Sequence, residues 1–274
     1  MQRKAGPWFY VFLLVFVFLV MFPFLWIFLT SIKPIGDIFG APFAWFGSGI
    51  SFESYQSALT TRPLLRYMLN SFIVSTATTV LAIGCASFTA YAVTRLPIRF
   101  KGAILGIVLA SSMFPPIAII SPIYNFVTDF GLRNSYTGLV IPYITISLPL
   151  AIWILSTFFQ NIPYSLEESA KLDGATPFQT FRKIILPLAA PGVFTTAILV
   201  FIAAWNEYLF ALTINTQDSM KTVPVGISLY QSQYSIPWGD ITAATVLVTI
   251  PIVILVLIFQ RRIVAGLTSG SVKE

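Results

Sequence analysis

Long apolar runs alternate with short polar segments along this chain, and the runs dominate. Residues 8–32, 67–94, 103–120, 136–159, 193–214 and 241–259 each come close to or exceed the ~20 residues a helix needs to cross a hydrocarbon core. The pattern therefore predicts an all-α membrane protein with six transmembrane helices in one domain. The first run follows Gln2-Arg3-Lys4, is longer than the ~7–15 apolar residues of a signal-peptide core and lacks a small-residue cleavage site, so it reads as a retained helix. Pro115-Pro116 interrupts the third run. The backbone groups freed there must be satisfied by neighbouring helices or water, so the break faces inward, as a bending point or as a static kink. Residues 33–66, 121–135 and 215–240 read as loops, and Ser51-Phe52-Glu53-Ser54-Tyr55 opens a short helix along the membrane surface.

Few polar side chains fall inside the runs. Ser71, Ser75, Thr78 and Thr79 make a stripe at helical spacing in the second, which faces either a packed helix or a water-filled path rather than lipid. Trp205-Asn206-Glu207-Tyr208 places one carboxylate in the outer half of the fifth. A charge at that depth costs a few kcal/mol unless it is paired or hydrated, so Glu207 should face the interior. It is either part of a substrate path, with Asn206, Ser75 and Thr79 as further candidates, or a packing hydrogen bond.

The segment 163–187 breaks the apolar pattern with charge and turn chemistry. Ser165 with Glu168 three residues on reads as a capping box, and the helix so begun should end near Leu172, where Asp173-Gly174 supplies a left-handed cap. Thr176, Pro177 and Gln179 then signal a second start. Helix, glycine elbow, helix is the expected product. Phe178, Phe181 and Ile185 share one face of the second helix, with Arg182 and Lys183 elsewhere.

Composition agrees with the pattern. Only 9% of residues are charged and 57% are hydrophobic, against about 25% charged in soluble domains. Of the 16 Lys and Arg residues, Arg3, Lys4, Arg95, Arg99, Lys101, Lys171, Arg182, Lys183, Arg261, Arg262 and Lys273 fall on the side of the termini. The positive-inside rule makes that side cytoplasmic. The net charge of +6 is thus a topological signal rather than a nucleic-acid footprint. The chain has no His and a single cysteine, Cys85, within an apolar run. That removes the usual general base, disulfides and the common metal-ligand sets.

Glu168-Ser169-Ala170-Lys171-Leu172-Asp173-Gly174-Ala175, the F-x-x-F-R that follows at Phe178–Arg182, and P-L-x-x-P at Pro187–Pro191 resemble the cytoplasmic EAA loop of ABC-importer permeases, in the MalG-like sugar class. The ending G-L-T-x-G-x-V-K from Gly266 to Lys273 resembles that class's C-terminal signature, and the likeness to trehalose- and maltose-type permeases extends over about residues 22–273. Ser169 stands where the family usually has Ala.

The resemblance implies a type I importer permease fold in a bacterial or archaeal inner membrane. It also implies a second homologous permease, two ATPase subunits and an extracytoplasmic sugar-binding protein as partners, with lipid around the spans. Glu167, Glu168, Ala170, Asp173, Gly174, Ala175, Phe178 and Arg182 would couple to the ATPases, and Gly270, Ser271, Val272 and Lys273 would reach into their interface. Glu168 is claimed by two roles, an ion pair with the ATPase and the capping box. No phosphate-binding G-x-x-x-x-G-K-[ST] loop is present, so ATP and Mg²⁺ would sit on the partner and this chain would bind no cofactor. An ion-coupled secondary transporter is the rival reading. It would carry several intramembrane charges and inverted repeats, where this chain offers Glu207 alone.

Overall fold

The computed structural model describes residues 6–40, 44–232 and 235–268, and the side chains as far as Gln260. Among these residues all regular structure is helical. They form two compact units, one of residues 1–65 with 226–251, the other of residues 66–225 with 252–274.

In the first unit α1 (Pro7–Ser31) keeps Pro23 within an unbroken helix and buries only Ser31. A helix apolar on every side with no packed face is built to meet lipid or another membrane helix. After it come α2 (Ile35–Gly40), which the loop-like composition of 33–66 did not announce, and α3 (Glu53–Thr61), the short helix expected to open near Ser51. Ser57 Oγ donates to Asp240 Oδ2 at 2.6 Å, Arg62 Nη2 donates to the Leu229 carbonyl at 3.0 Å, and the Tyr230 hydroxyl donates to the carbonyl of the fully buried Ala58. α3 is thereby fastened to the segment before the last helix and to the first turn of that helix.

The second unit opens with α4 (Leu64–Arg95), whose Ala82, Ala86 and Ala90 are fully buried at spacings of four. Such a stripe lets neighbouring backbones approach closely. α5 (Lys101–Ser111) and α6 (Pro116–Asp129) meet at 88°. The break at Pro115-Pro116 is therefore a sharp turn, and the helix beyond it covers residues 116–129, most of which read as loop in the sequence. Pro116 begins α6 at a position where a missing N–H costs nothing.

α7 (Tyr136–Gln160) starts at Ser135, whose Oγ accepts from Gly138 N at 3.0 Å. α8 (Ser165–Leu172), α9 (Pro177–Thr180), a π-helical turn over Phe181–Ile185 and α10 (Leu186–Leu188) make up the former polar island. α11 (Ala190–Trp205) then leaves at 77° to the preceding segment, so the turn falls at Ala189, and Pro187 lies within α10 rather than ending it. Gly192 is packed against the Phe158 ring, where any Cβ would collide.

The fifth span is broken. α11 stops at Trp205 and α12 (Leu209–Ile214) restarts after a three-residue gap. α13 (Val223–Ser228) precedes α14 (Trp238–Thr268), which begins earlier and runs further than its most apolar stretch. α1, α4, α7 and α14 are each long and apolar enough to cross a membrane, and two bent pairs, α5 with α6 and α9–α10 with α11, bring the number to six if each is one span.

Candidate coupling element and translocation path

α8 and α9 form the helix–elbow–helix that the sequence predicts, with one change at the start. Tyr164 occupies the N-cap in helical conformation and no side chain caps the helix. The Ser165–Glu168 box is not formed, because Ser165 already lies in the first turn, and Glu168 is left exposed.

The exit is as expected. Gly174 takes φ +78°, its N–H reaches the Lys171 carbonyl at 3.0 Å and the Ala175 N–H reaches the Ala170 carbonyl at 2.9 Å. These two bonds are the Schellman pair, which satisfies the last carbonyls of α8. Thr176 and Gln179 complete a true capping box, Thr176 N to Gln179 Oε1 at 2.8 Å and Gln179 N to Thr176 Oγ1 at 3.3 Å.

Packing divides the candidate coupling residues into two sets. Glu167 and Ala170, 4% and 5% exposed, face the protein's own interior. Glu168, Asp173, Gly174, Phe178 and Arg182 are exposed, Ala175 is half-buried, and Leu172 at the elbow is 90% exposed. Phe181 anchors the second helix from inside, its ring centroid 5.0 Å from both Phe88 and Tyr91 and 6.4 Å from Phe159. The tail residues Gly270, Ser271, Val272 and Lys273 lie outside the described residues.

Arg95, the last residue of α4, is central to the site, although the sequence marks it only as a basic turn residue. Its side chain is fully buried and its Nε stands 3.2 Å from Glu167 Oε1. The contact is one of charge, without the N–H···O alignment of a hydrogen bond. The guanidinium also donates to the carbonyls of Phe159 and Ile162 at the end of α7, and lies 4.4 Å from the Tyr164 ring centroid. The spacing Ser87, Tyr91, Arg95, each buried and four residues apart, was the available signal that Arg95 shares an inward face.

The substrate-path candidates do not converge on one cavity. Ser75 is fully buried, and Thr79 donates to its carbonyl at 2.7 Å. Thr79 lines a largely apolar cleft of about 390 Å³ with Ile83, Phe88, Leu186 and Ala197. Asn206 and Glu207 occupy the break in the fifth span. Glu207 Oε1 accepts from Phe210 N at 2.9 Å and Oε2 from Ala211 N at 3.2 Å, so its carboxylate caps α12. The packing alternative for Glu207 thus has a definite form, a helix N-terminus satisfied by a negative charge.

Residues 79–269 match the family model described as "Binding-protein-dependent transport system inner membrane component". The trehalose transport system permease protein SugB of Mycobacterium tuberculosis is 44% identical over 99% of this chain and 98% of its own length. The trehalose/maltose transport system permease protein MalG of Thermococcus litoralis is 42% identical over 92% of this chain and 91% of its own. A bacterial ABC transporter involved in importing the acidic polysaccharide alginate has the same fold, with a TM-score of 0.76 at 20% identity, over 95% of this chain and 99% of that one. A helical chain with an exposed helix–elbow–helix between its spans, matched over most of its length, belongs to the inner-membrane permease family of binding-protein-dependent transport systems.

Proposed function

We propose that this chain is the MalG-like permease subunit of an ATP-driven importer for a trehalose- or maltose-type di- or oligosaccharide. As in its family, it is a non-catalytic membrane subunit of an ABC importer, and ATP is hydrolysed by separate subunits. It pairs with a second homologous permease, and together they enclose the path. Two ATPases dock on the cytoplasmic side, where both termini lie, and a sugar-binding protein delivers substrate from outside.

The observation that carries the reading is the outward face of α8 and α9, with Glu168, Leu172, Asp173, Phe178 and Arg182 exposed on a rigid elbow. It offers a charge to pair and an apolar knob to bury. Closure of the ATPases on ATP would drag this element and tilt the spans attached to it, opening the path alternately to each side.

The test is ATP-dependent uptake of labelled sugars by proteoliposomes holding this chain with its co-purifying partners, wild type beside Glu168→Ala. Loss of uptake and of ATPase co-purification in the variant supports docking. Uptake that ignores ATP refutes the assignment, and accumulation of no sugar in the panel refutes the substrate class.

A further inference from the structure

The adjacent acids Glu167 and Glu168 leave α8 in opposite directions, one to Arg95 and one to solvent. We propose that Arg95 and Glu167 are positioning residues whose ion pair makes α8 one rigid body with the ends of α4 and α7, so that a displacement of α8 reaches both spans without slack. The proposal deepens the docking role of α8 and rests on it.

Arg95 is suited to the task by shape as well as charge. A guanidinium is a planar fork of five donors, and here it serves three segments at once: it ends α4, holds the carbonyls of Phe159 and Ile162 at the end of α7, and faces the carboxylate of Glu167 on α8. Phe159 lies in the last turn of α7, at the negative end of its dipole, where its carbonyl also accepts from Ile162 N at 3.2 Å, and Ile162 follows two residues after the helix ends. Two further bonds reinforce the junction, Tyr164 Oη and Lys101 Nζ both donating to the Thr94 carbonyl at 3.1 Å.

At its other end α8 is held through the elbow by Phe181 among Phe88, Tyr91 and Phe159. Charge therefore fixes the near end and aromatic packing the far end. Without the pair, α8 would be held by the buried Ala170, the 161–164 linker and the elbow. Its docking face would be unchanged, but it could rock without moving α4 or α7.

The experiment uses the full complex reconstituted with its ATPases, second permease and binding protein, and compares Glu167→Gln, the double variant Arg95→Met/Glu167→Met, and Glu168→Ala. Sugar carried per ATP hydrolysed is the primary readout. Removing both charges leaves none buried without its partner, so the double variant should fold and assemble. It should nonetheless carry at least fivefold less sugar per ATP than wild type, with Glu167→Gln falling in the same direction. Recovery of the wild-type ratio in the double variant would mean that the pair serves folding only, and would overturn the proposal.

A second readout is independent of transport. Spin labels at the exposed positions Arg99 and Ser169, with the exposed Cys85 first replaced by Ala, should give one narrow distance distribution in wild type through the ATP cycle and a broad one in the double variant. A distribution equally narrow in both refutes the clamp. If Glu168→Ala keeps both its ATPase and its coupling, the docking reading fails instead, and the spin-label distance still decides the clamp.

Discussion

Replacing Glu207 separates two roles for a carboxylate within the spans. Both of its oxygens are occupied, by Phe210 N at 2.9 Å and Ala211 N at 3.2 Å. Glu207→Ala leaves two N–H groups at the start of α12 without an acceptor. Each unmet buried donor costs about 1–3 kcal/mol. Glu207 is only half-buried, so water can reach the gap and the lower end applies, about 2–3 kcal/mol in total. At about 2–4 °C per kcal/mol for a chain of this size, the melting temperature should fall by about 5–10 °C. Glu207→Gln keeps one acceptor and should lose about half as much. The assay is thermal unfolding of the detergent-solubilised subunit beside sugar uptake by the reconstituted complex. A capping role predicts lower melting with the KM for sugar unchanged. Unchanged melting with a raised KM would refute the capping argument and return Glu207 to the substrate path.

Three further predictions follow from local geometry. Gly174→Ala must hold φ +78° with a Cβ that meets nothing within 4 Å, so its cost is purely the backbone's, about 1–2 kcal/mol. Hydrogen exchange at the α8 amides should speed up about tenfold, and an unchanged rate would show that the elbow is not strained. Gly192→Ala drives a methyl into the Phe158 ring, costing about 1–3 kcal/mol of overpacking, and Phe158→Leu in the same chain should restore most of the lost melting temperature. Burial, with Asp240 nearby, pushes the Tyr230 hydroxyl up to about 12. Stability from its neutral form is complete below the unfolded value of ~10 and is lost as pH rises from there through about 12, so Tyr230→Phe should flatten the alkaline melting curve in that window alone.

Much of this was legible in the residue pattern, for identifiable reasons. The spans now seen as α1, α4, α7 and α14 announce themselves because a helix in lipid must be apolar along its whole length. The elbow at Gly174 and the box at Thr176 and Gln179 are local, set by residues within four positions of one another, and the structure keeps both. The Ser165 box fails because α8 begins one residue earlier, after Pro163 and Tyr164, and serine in a first turn has no cap to make. The extent of α6 was hidden because Ser121-Pro122 and the polar residues near Asp129 read as loop, yet Pro122 lies inside the helix. The gap at Asn206–Tyr208 has neither Pro nor Gly, and Glu207 compensates for it from within. The inward aim of Glu167 depends on Arg95, 72 positions away in sequence, which periodicity cannot pair.

The π-helical turn at Phe181–Ile185 makes chain length itself a specification. A π turn holds one residue more than an α turn spanning the same axial distance, and within it Phe181 and Ile185 are buried while Arg182 and Lys183 are exposed. Deleting one residue between Thr180 and Leu186 would tighten the turn to α geometry and re-aim the side chains within it, while the flanking helices keep their direction. A loop such as 44–50 can gain or lose a residue with local effect, whereas in this segment a single codon decides which side chains meet the core.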